Sequence, residues 1–423
     1  MPAGAGGKTG KTEKTLDAPW LTRGALPRLL AVLDADGEEA RAVGGAVRNA
    51  LIGEPVHEID VATTAVPQEV TRRVSAAGFK AVPTGIAHGT VTVVIEGAPY
   101  EVTTLRRDIE TFGRHATVEF GRDWEGDAHR RDFTINALSV TRDGAVYDYA
   151  GGLSDLDKRR VRFIGEAKQR IEEDYLRILR FFRFHAAYGQ GEPDADGLHA
   201  CIAAREGLAQ LSRERVRMEF LKLLAARRAV PSLQVMAETG LLLAVLGGVP
   251  NVVHAARMAE VEQAMSLAAD PVRRLAALGV LVAEDAERLW QRLRLANKEH
   301  ERLAAMAEGW WRMSPRLSEQ AARALLYRLG PELFADQALL GWARSGAEAN
   351  DDAWRMLASL PQRWTAPAFP LKAADFMARG IAQGPALGAA LKAAESAWIA
   401  AGFPADRAAL DDIVVKAMSS MKG

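Results

Sequence analysis

The stretch AVGGAVRNALIGEPVHEIDVATTA, residues 42–65, decides what the first part of the chain must build. An apolar pair ends at Gly44-Gly45, where a backbone without Cβ atoms can approach a phosphate closely. Helix formers follow up to Gly53, so we expect a strand, a glycine turn and a helix. Arg48 falls in the first turn of that helix, where its side chain and free backbone N–H groups can face an anion. The first half of the stretch therefore predicts a phosphate site.

The second half of the stretch predicts a metal site. Residues 58–63, EIDVAT, alternate in character and are rich in β-branched side chains, which is typical of a strand. Glu58 and Asp60 share one face of that strand because they are two residues apart. Their oxygens suit a hard cation such as Mg²⁺, which takes further ligands from water and substrate phosphates. Alone, a glycine pair is most often a tight turn and such a strand an exposed sheet face, so their order and spacing carry the inference.

Length and composition limit the possibilities. With 423 residues, the chain exceeds one ordinary domain. The 54 basic and 54 acidic residues balance, so any nucleic-acid binding must use local arginine clusters. The single cysteine, Cys201, excludes a disulfide framework and a cysteine-based zinc site, and favours a reducing, cytoplasmic location. No apolar run approaches the roughly 18 residues of a membrane span, so we expect no membrane partner.

The pattern along the chain predicts an α+β protein with a mixed sheet followed by an all-α region. Residues 1–18 are small and polar and are expected to be disordered. Residues 19–165 mix strand-like and helical runs, and beyond them helix formers dominate. A first helical segment covers residues 166–228, and an alanine- and leucine-rich helical region covers residues 229–423.

Three local predictions concern helices and a loop. Apolar residues at helical spacing predict one amphipathic helix over residues 20–33, and a second helix is expected over residues 67–77. Residues 105–130 are charged and contain three glycines, with only a brief strand-like piece. We expect a long mobile loop there, and such loops in compact domains are often lids.

A β-hairpin is predicted over residues 90–105, with a turn at Gly97-Ala98-Pro99. Its second strand contains Glu101. If that strand lies in the same sheet as Glu58 and Asp60, Glu101 is a possible third carboxylate at the metal site. Single strand glutamates are more often solvated.

The segment RRDFTINA, residues 130–137, places Arg131 beside Asp132. The cation can hold a phosphate or sugar while the carboxylate accepts a hydrogen bond from a ribose hydroxyl, which would favour ribonucleotides. A surface ion pair is the alternative explanation.

The segment EDYLRILRFFRF, residues 173–184, predicts a helix with arginines at every third position. Steps of three lag the 3.6-residue period by about 60°, so Asp174 and Arg183 should point in nearly opposite directions. Only neighbours in the row can share a ligand. We therefore assign Asp174 and Arg177 to one part of a nucleotide, and Arg180 and Arg183 to phosphate, RNA or an adjoining domain.

Asp174 and Arg177 together could distinguish nucleotide bases by their hydrogen-bond donors and acceptors. Cytosine and adenine present an amino donor beside a ring-nitrogen acceptor, whereas uracil and guanine present a carbonyl beside a ring N–H. Asp174 accepting from the amino group and Arg177 donating to the ring nitrogen would therefore select C and A. The alternative is a routine helix salt bridge.

In their order along the chain, these motifs resemble those of the class II tRNA nucleotidyltransferase and bacterial poly(A) polymerase family. The resemblance includes LSRERVRMEF, residues 211–220, covers residues 40–225 densely, and extends further only by helical character. It implies a polymerase-β-like nucleotidyltransferase palm in a catalytic head (residues 19–165), a base-recognising helical neck (166–228), and a tRNA-binding body and tail (229–423). It also implies that the loop after residue 105 affects nucleotide choice.

The resemblance implies a CCA tRNA nucleotidyltransferase. Such an enzyme adds C, C and A to the tRNA 3′ end from CTP and ATP without a template, and releases pyrophosphate by two-metal-ion catalysis. Glu58 and Asp60 would be the catalytic Mg²⁺ ligands. The residues implied to bind the nucleotide are Gly44, Gly45, Arg48, Arg131, Asp132, Asp174, Arg177, Arg180 and Arg183. Residues 211–220 are interpreted mainly as structural support, with Glu219 bracing the arginines.

The chain departs from the family pattern at three positions and leaves alternatives open. Glu58 and Asn49 each replace the usual aspartate, and Tyr149 replaces a proline. A poly(A) polymerase shares these motifs, although such enzymes typically carry basic extensions, and an enzyme that adds only CC or only A is equally compatible. From another class, a non-catalytic RNA-binding protein with a weakened metal site fits. The oligomeric state is open.

Overall fold

The computed structural model describes residues 10–85, 89–112 and 115–419. The chain divides into two compact units, one up to Val245 and one from Leu246 onward. The first unit combines a mixed sheet with helices, whereas the described residues of the second form helices joined by turns. The predicted α+β class is therefore confirmed.

The strands and helices of the described residues have the following bounds. The strands are β1 Lys11–Thr15, β2 Ala40–Val43, β3 Asp60–Thr63, β4 Lys80–Gly85, β5 Thr90–Ile95, β6 Ala98–Thr104, β7 Arg106–Phe112, β8 His115–Phe120, β9 Ser139–Val140 and β10 Ala145–Tyr147. The α-helices of the first unit are α1 Pro19–Thr22, α2 Ala25–Leu33, α3 Gly45–Leu51, α4 Pro67–Ala76, α5 Trp124–His129, α6 Gly152–Asp157, α7 Ala167–Glu173, α8 Leu176–Tyr188, α9 Ala195–Ala203, α10 Arg213–Leu224 and α11 Ala229–Glu238, followed by α12 Leu241–Leu246. Those of the second unit are α13 Val252–Ala264, α14 Pro271–Gly279, α15 Ala283–Leu293, α16 Asn297–Ala307, α17 Glu319–Leu329, α18 Pro331–Arg344, α19 Asp352–Ala358, α20 Leu360–Arg363, α21 Ala373–Met377, α22 Pro385–Ala400 and α23 Arg407–Ser419. Single 3₁₀ turns cover Thr134–Asn136, Arg205–Gln210 and Trp310–Arg312.

The main sheet has the strand order β1-β10-β9-β2-β3-β6-β5-β4, and β7 pairs with β8 separately. Among the strand pairs of this sheet in the described residues, only β3 and β6 are parallel, and their register places Asp60 opposite Glu101. Strand β5 alternates between buried and partly exposed side chains, as expected where one sheet face is covered by helices. The parallel pair therefore places the strands of Asp60 and Glu101 side by side in one sheet, which was the condition for Glu101 to lie near the predicted metal site.

The predicted disorder of the N-terminal segment is wrong for residues 11–15, which form edge strand β1 against β10. Its side chains are mostly exposed, and it is held by hydrogen bonds such as Thr12 Oγ1 to the Val146 carbonyl at 2.9 Å. A polar edge strand of this kind buries almost no side-chain surface, so composition carries no signal for it. The prediction for residues 1–9 lies outside the described part of the chain.

The prediction of a loop without regular structure over residues 105–130 is also wrong. This segment forms the antiparallel ribbon of β7 and β8 followed by helix α5, with residues 113 and 114 outside the described range. The ribbon is paired through its backbone and is separate from the main sheet, and the charged composition of the segment gives no strand signal over its whole length. Asp123 caps α5 by accepting a hydrogen bond from Gly126 N at 3.0 Å.

Two other local predictions hold with adjusted bounds. The helix predicted over residues 20–33 is divided into α1 and α2 at Gly24, whose φ of 85° an L-residue rarely adopts. The predicted hairpin of β5 and β6 is confirmed, with a tighter turn than expected. Glu96 and Gly97 both have positive φ, 54° and 84°, which is the type I′ geometry that suits twisted strands.

An aromatic cluster packs across the predicted head–neck boundary near residue 165. Phe133 lies 4.8 Å from Phe163, and Phe163 stacks on Phe181 of α8 at 5.5 Å between ring centroids. All three rings are buried. The boundary between compact units falls at 245/246 instead, so the division into head and neck remains a functional prediction.

The second unit contains a buried network of charges. Asp336 accepts hydrogen bonds from Arg273 at 3.1 Å and Arg302 at 2.5 Å, and Glu262 accepts from Arg273 and Arg274 at 3.0 and 2.7 Å. Both carboxylates are almost fully buried. Every charge in the network is therefore paired, as burial demands. Among the residues described, none of the helices combines the length and apolar character needed to cross a membrane.

We expect Asp336→Ala to lower the free energy of unfolding by about 1–3 kcal/mol, because it removes the carboxylate that Arg273 and Arg302 share and leaves each of them with one remaining acidic partner. Chemical denaturation of the full chain measures this. The control Glu319→Ala removes the carboxylate of an ion pair whose acidic side chain is 72% exposed, and should cost under about 1 kcal/mol. Equal effects of the two variants would contradict the predicted importance of the network.

Candidate active site

A cavity of about 680 Å³ in the first unit gathers the residues that the sequence singled out. Its volume lies within the roughly 300–1,000 Å³ of small-molecule sites. Every predicted site residue except Glu101 lines it, namely Gly44, Gly45, Arg48, Glu58, Asp60, Arg131, Asp132, Asp174, Arg177, Arg180 and Arg183. The lining is completed by Asn136, Leu176, Phe184 and Arg215. Residues from four separate motifs therefore share one cavity.

The predicted strand, glycine turn and helix are all present at the cavity floor. Strand β2 ends at Val43, and α3 begins at Gly45. Gly44 has a φ of 70°, and a Cβ there would lie 3.1 Å from Nη1 of Arg131. A side chain would thus be strained and crowded at Gly44, which keeps the backbone open to a ligand.

Arg48 is buried and lines the cavity. Its N–H closes the first turn of α3 on the Gly44 carbonyl at 3.0 Å. The guanidinium donates to Asn136 Oδ1 and, at 2.6 Å, to the Tyr188 hydroxyl, whose ring lies 3.8 Å away. Burial lowers the pKa of Arg48, with the nearby charge of Arg183 adding to the effect, but a guanidinium stays protonated.

The two predicted metal ligands lie at the cavity edge. Strand β3 begins at Asp60, so Glu58 lies in the segment before the strand and not within it as predicted. Both carboxylates nevertheless face the same cavity. Loss of hydration raises the pKa of Asp60 above its ordinary value, and the charges of Glu101 and Glu58 raise it further, against the opposing effect of Arg131. The carboxylates are therefore close enough to repel one another.

The donor set suits a hard cation. Within residues 10–85, 89–112 and 115–419, no hydrogen bond or ion pair engages the carboxylates of Glu58 and Asp60. No group of three or more His, Cys, Asp or Glu side chains that could hold a metal ion is found among the described residues. Glu101 lies beside Asp60 in the sheet but outside the cavity lining. A cation here would take two carboxylates from the protein and the rest from water or ligand.

Asp132 is engaged by protein groups on both of its oxygens. Oδ2 accepts from Arg180 Nε at 2.7 Å, and Oδ1 accepts from Phe133 N at 2.9 Å and Asn136 Nδ2 at 3.1 Å. Burial opposes its ionisation, but the Arg180 charge and these hydrogen bonds keep its pKa below the ordinary value. Its neighbour Arg131 pairs with Asp127 at 3.4 Å instead. Asp132 thus positions Arg180. Both of its oxygens already accept hydrogen bonds from protein groups, and its predicted hydrogen bond to a ribose stays a prediction.

The predicted helical row is wrong for Asp174. Helix α7 ends at Glu173, Asp174 is extended with φ −156° and ψ 106°, and α8 starts at Leu176. Asp174 Oδ1 accepts from Leu176 N at 3.1 Å, so it serves the start of α8 as short polar side chains commonly do. The opposed directions expected on one ideal helix therefore do not apply. Asp174 and Arg177 both line the cavity.

Asp174 and Arg177 do not form the routine salt bridge that was the alternative. Asp174 Oδ2 accepts from Arg215 at 2.6 Å, whereas Arg177 donates to Glu173 at 2.5 Å and to the Arg170 carbonyl at 2.5 Å. Each side chain is held by another partner, and neither neutralises the other. Asp174 and Arg177 therefore both line the cavity without forming an ion pair with each other.

Residues 211–220 contribute more than the support that was predicted. Glu219 braces Arg183 at 2.5 Å and Arg180 at 3.6 Å, which confirms its expected contact with the arginines. Arg215 also lines the cavity, which the sequence analysis missed. It lies four residues before Glu219, and this spacing places both on one face of α10. Asn136 and Phe184, within two other motifs, were likewise quoted but not assigned.

Comparisons with known proteins place the chain in a family. Residues 40–162 match the model of the poly A polymerase head domain, and residues 193–252 match that of a probable RNA- and SrmB-binding site of polymerase A. The mitochondrial CCA tRNA nucleotidyltransferase 1 of Danio rerio is 41% identical over 292 residues, which cover 68% of this chain and 67% of that protein. The chain belongs to the CCA tRNA nucleotidyltransferase family.

Similarity to other members of the CCA tRNA nucleotidyltransferase family supports this assignment. The CCA-adding enzyme of Bacillus cytotoxicus is 40% identical over 219 residues, 51% of this chain and 53% of that enzyme. The crystal structure of the Bacillus stearothermophilus CCA-adding enzyme in complex with CTP superimposes with a TM-score of 0.71 at 27% identity, covering 93% of this chain and 97% of that one. Sequence similarity to curated family members is thus strongest over about half to two thirds of their length.

The buried carboxylate of Asp132 generates a pH-dependent prediction. Because its folded pKa is lowered, its contribution to stability is present above the unfolded value of about 3.9 and is lost as pH falls through the folded pKa. Asp132→Asn lacks this contribution. The difference in unfolding free energy between wild type and variant should be constant from about pH 7 to 5 and shrink below about pH 4.

Urea unfolding at a series of pH values measures that difference. Glu192→Gln, at an exposed position outside the cavity, is the control and should follow wild type throughout. A gap for Asp132→Asn that widens on acidification would contradict the assignment.

Proposed function

We propose that the protein adds C, C and A to the 3′ end of tRNA, using CTP and ATP and releasing pyrophosphate. The observation that carries the proposal is one cavity lined by a set of arginines, by Asp174 and Arg177, and by two carboxylates that have no hydrogen-bond or ion-pair partner among the described residues. Metal, triphosphate and base recognition each have a candidate group there. Family membership and the names of the relatives from Danio rerio and Bacillus cytotoxicus support the same conclusion.

Glu58 and Asp60 would hold Mg²⁺. When bound, the ions supply activation of the RNA 3′-hydroxyl and stabilise charge on the α-phosphate and the leaving pyrophosphate. Glutamate at position 58 is a competent oxygen ligand one methylene longer than aspartate. The protein's own contribution is to orient the reacting groups in the cavity.

The incoming nucleotide would lie between the glycine turn and helix α8. The backbone at Gly44-Gly45, together with Arg48 and Arg131, would take the triphosphate. Asp174 and Arg177 would recognise the base. Arg180 and Arg183 would complete the pocket, held in position by their ion pairs with Asp132 and Glu219, respectively. Arg215 would fix the orientation of Asp174.

The helical regions have a proposed role in holding the RNA. We propose that residues 19–165 act as the catalytic head, 166–228 as the base-recognising neck, and 229–423 as the tRNA-binding body and tail. The matched RNA-binding family model over residues 193–252 supports an RNA contact near the end of the neck. A cytoplasmic location is proposed from the single, buried cysteine, whereas the relative from Danio rerio is mitochondrial.

Poly(A) addition is the second candidate, because the family model for the head is described by that activity. Incubating the enzyme with tRNAs that end before, within and after CC, with labelled CTP or ATP, separates the candidates by product length. We expect growth to stop at CCA. Runs of A would establish a poly(A) polymerase, and addition of only CC or only A would establish a partial enzyme.

Asp60→Ala should abolish nucleotide incorporation and leave tRNA binding intact, because it removes a metal ligand from an otherwise intact cavity. Product gels and a filter-binding assay measure the two properties. Glu192→Ala, which removes an exposed acid elsewhere, should retain full activity. Turnover by Asp60→Ala would remove this residue from its proposed role. Binding of tRNA without incorporation by wild type would instead favour the non-catalytic alternative.

Asp174→Ala should relax the selection of C and A over U and G, because a carboxylate facing the carbonyl of U or G is the mispaired group. We expect the ratio of kcat/KM for CTP over UTP to fall by about tenfold or more. Single-turnover addition to a tRNA lacking CCA measures it. Unchanged selectivity would contradict the pairing logic.

A further inference from the structure

Arg48 differs from the other arginines of the cavity in the charge of its partners. Each of the others has a carboxylate within 3.4 Å, in the pairs Arg131–Asp127, Arg177–Glu173, Arg180–Asp132, Arg183–Glu219 and Arg215–Asp174. No carboxylate of the described residues forms an ion pair with Arg48. Among the described residues, Arg48 is therefore the cavity arginine without an ion pair, and the charge of Asp132 acts on it without a direct contact.

All the groups that hold Arg48 are neutral. Asn49 Oδ1 accepts from both Nε and Nη2 of Arg48, at 3.1 and 2.9 Å. The Tyr188 hydroxyl accepts from Nη2, and Asn136 Oδ1 accepts from Nη1. A guanidinium has five N–H groups, so one N–H of Nη1 is left over by these contacts with described residues. The Arg48 side chain is thus held in place at the cavity, and one of its N–H groups can still donate a hydrogen bond.

Asn49 is the residue that decides whether this arginine is neutralised. An aspartate has the same shape and would accept the same two hydrogen bonds as a forked ion pair, which cancels the charge locally. The structure shows why an amide suits this position. Asn49 Nδ2 donates to the Pro55 carbonyl at 2.9 Å, whereas an aspartate would place a second oxygen against that carbonyl.

We propose that Asn49 is a positioning residue that holds Arg48 for the triphosphate of the incoming nucleotide while leaving its charge available. The ligand's identity as a nucleoside triphosphate rests on the proposed function, whereas the anion site itself rests on the contacts above. A cation held by neutral acceptors keeps its attraction for a polyanion, and burial strengthens that attraction because water screens it less. The competing explanation is that Asn49 only ties α3 to the turn at Pro55.

The test compares wild type with Asn49→Asp, using the full chain. Inorganic tripolyphosphate and CTP, each with Mg²⁺, are titrated calorimetrically. We expect Asn49→Asp to weaken both ligands by about tenfold, and to raise the KM for CTP by a similar factor with kcat within about twofold. The preference for CTP over UTP should not change, because the base-recognising residues are untouched.

Two further variants separate charge from structure. Asn350→Asp adds the same charge at an exposed position in the second unit and should bind both ligands as wild type does. Asn49→Ala removes the clamp without adding charge, so we expect it to weaken tripolyphosphate less than Asn49→Asp does. Affinity of Asn49→Asp within twofold of wild type, or an Ala variant as weak as the Asp variant, would overturn the proposal.

These results are distinguishable from failure of the proposed function. The tripolyphosphate affinities judge the role of Asn49 without any turnover. Wild type that binds tripolyphosphate tenfold better than Asn49→Asp supports the proposal even if it adds no nucleotide to tRNA, a result that would overturn only the proposed function.

Discussion

The ion pair between Asp132 and Arg180 is the contact on which the cavity depends. Asp132 lies in the segment that precedes the 3₁₀ turn Thr134–Asn136, beside the sheet, whereas Arg180 lies on helix α8. The next residues along the chain, Phe133 and Phe181, belong to the aromatic cluster that they form with Phe163. A half-buried pair of this kind is costly to break, because Asp132 would lose its cation and Arg180 would keep only Glu219, at 3.6 Å. It therefore fixes α8 against the wall that carries the glycine turn.

The charged side chains of the cavity are of two kinds, those that form ion pairs with protein groups and those that do not. The arginines of α8 are held by carboxylates behind them, which orients their side chains at little cost in free energy of burial. Glu58, Asp60 and Arg48 instead lack ion-pair partners among the described residues. Uncompensated groups of both signs within one cavity suit a ligand that brings cations and an anion together, as a metal-bound triphosphate does.

The predictions from sequence failed where the structure depends on contacts that no local side-chain pattern reveals. Strand β1 and the ribbon of β7 and β8 are paired through backbone hydrogen bonds, which the composition of these segments does not reveal. Asp174 lies in a motif of regular spacing, yet it ends one helix and begins the next because its carboxylate accepts from Leu176 N. Arg215 was missed because a partner 41 residues away supplies its role.

The sequence by itself determined the α+β class, the glycine turn before α3, the hairpin of β5 and β6, and most of the residues that line the cavity. These follow from local spacing and side-chain chemistry, which the order of residues contains directly. Only the tertiary structure decided which carboxylate neutralises which arginine, that Asp132 supports Arg180, and that Arg48 is held by neutral groups. Those pairings join distant segments, and their strength depends on distance and burial that no local pattern encodes.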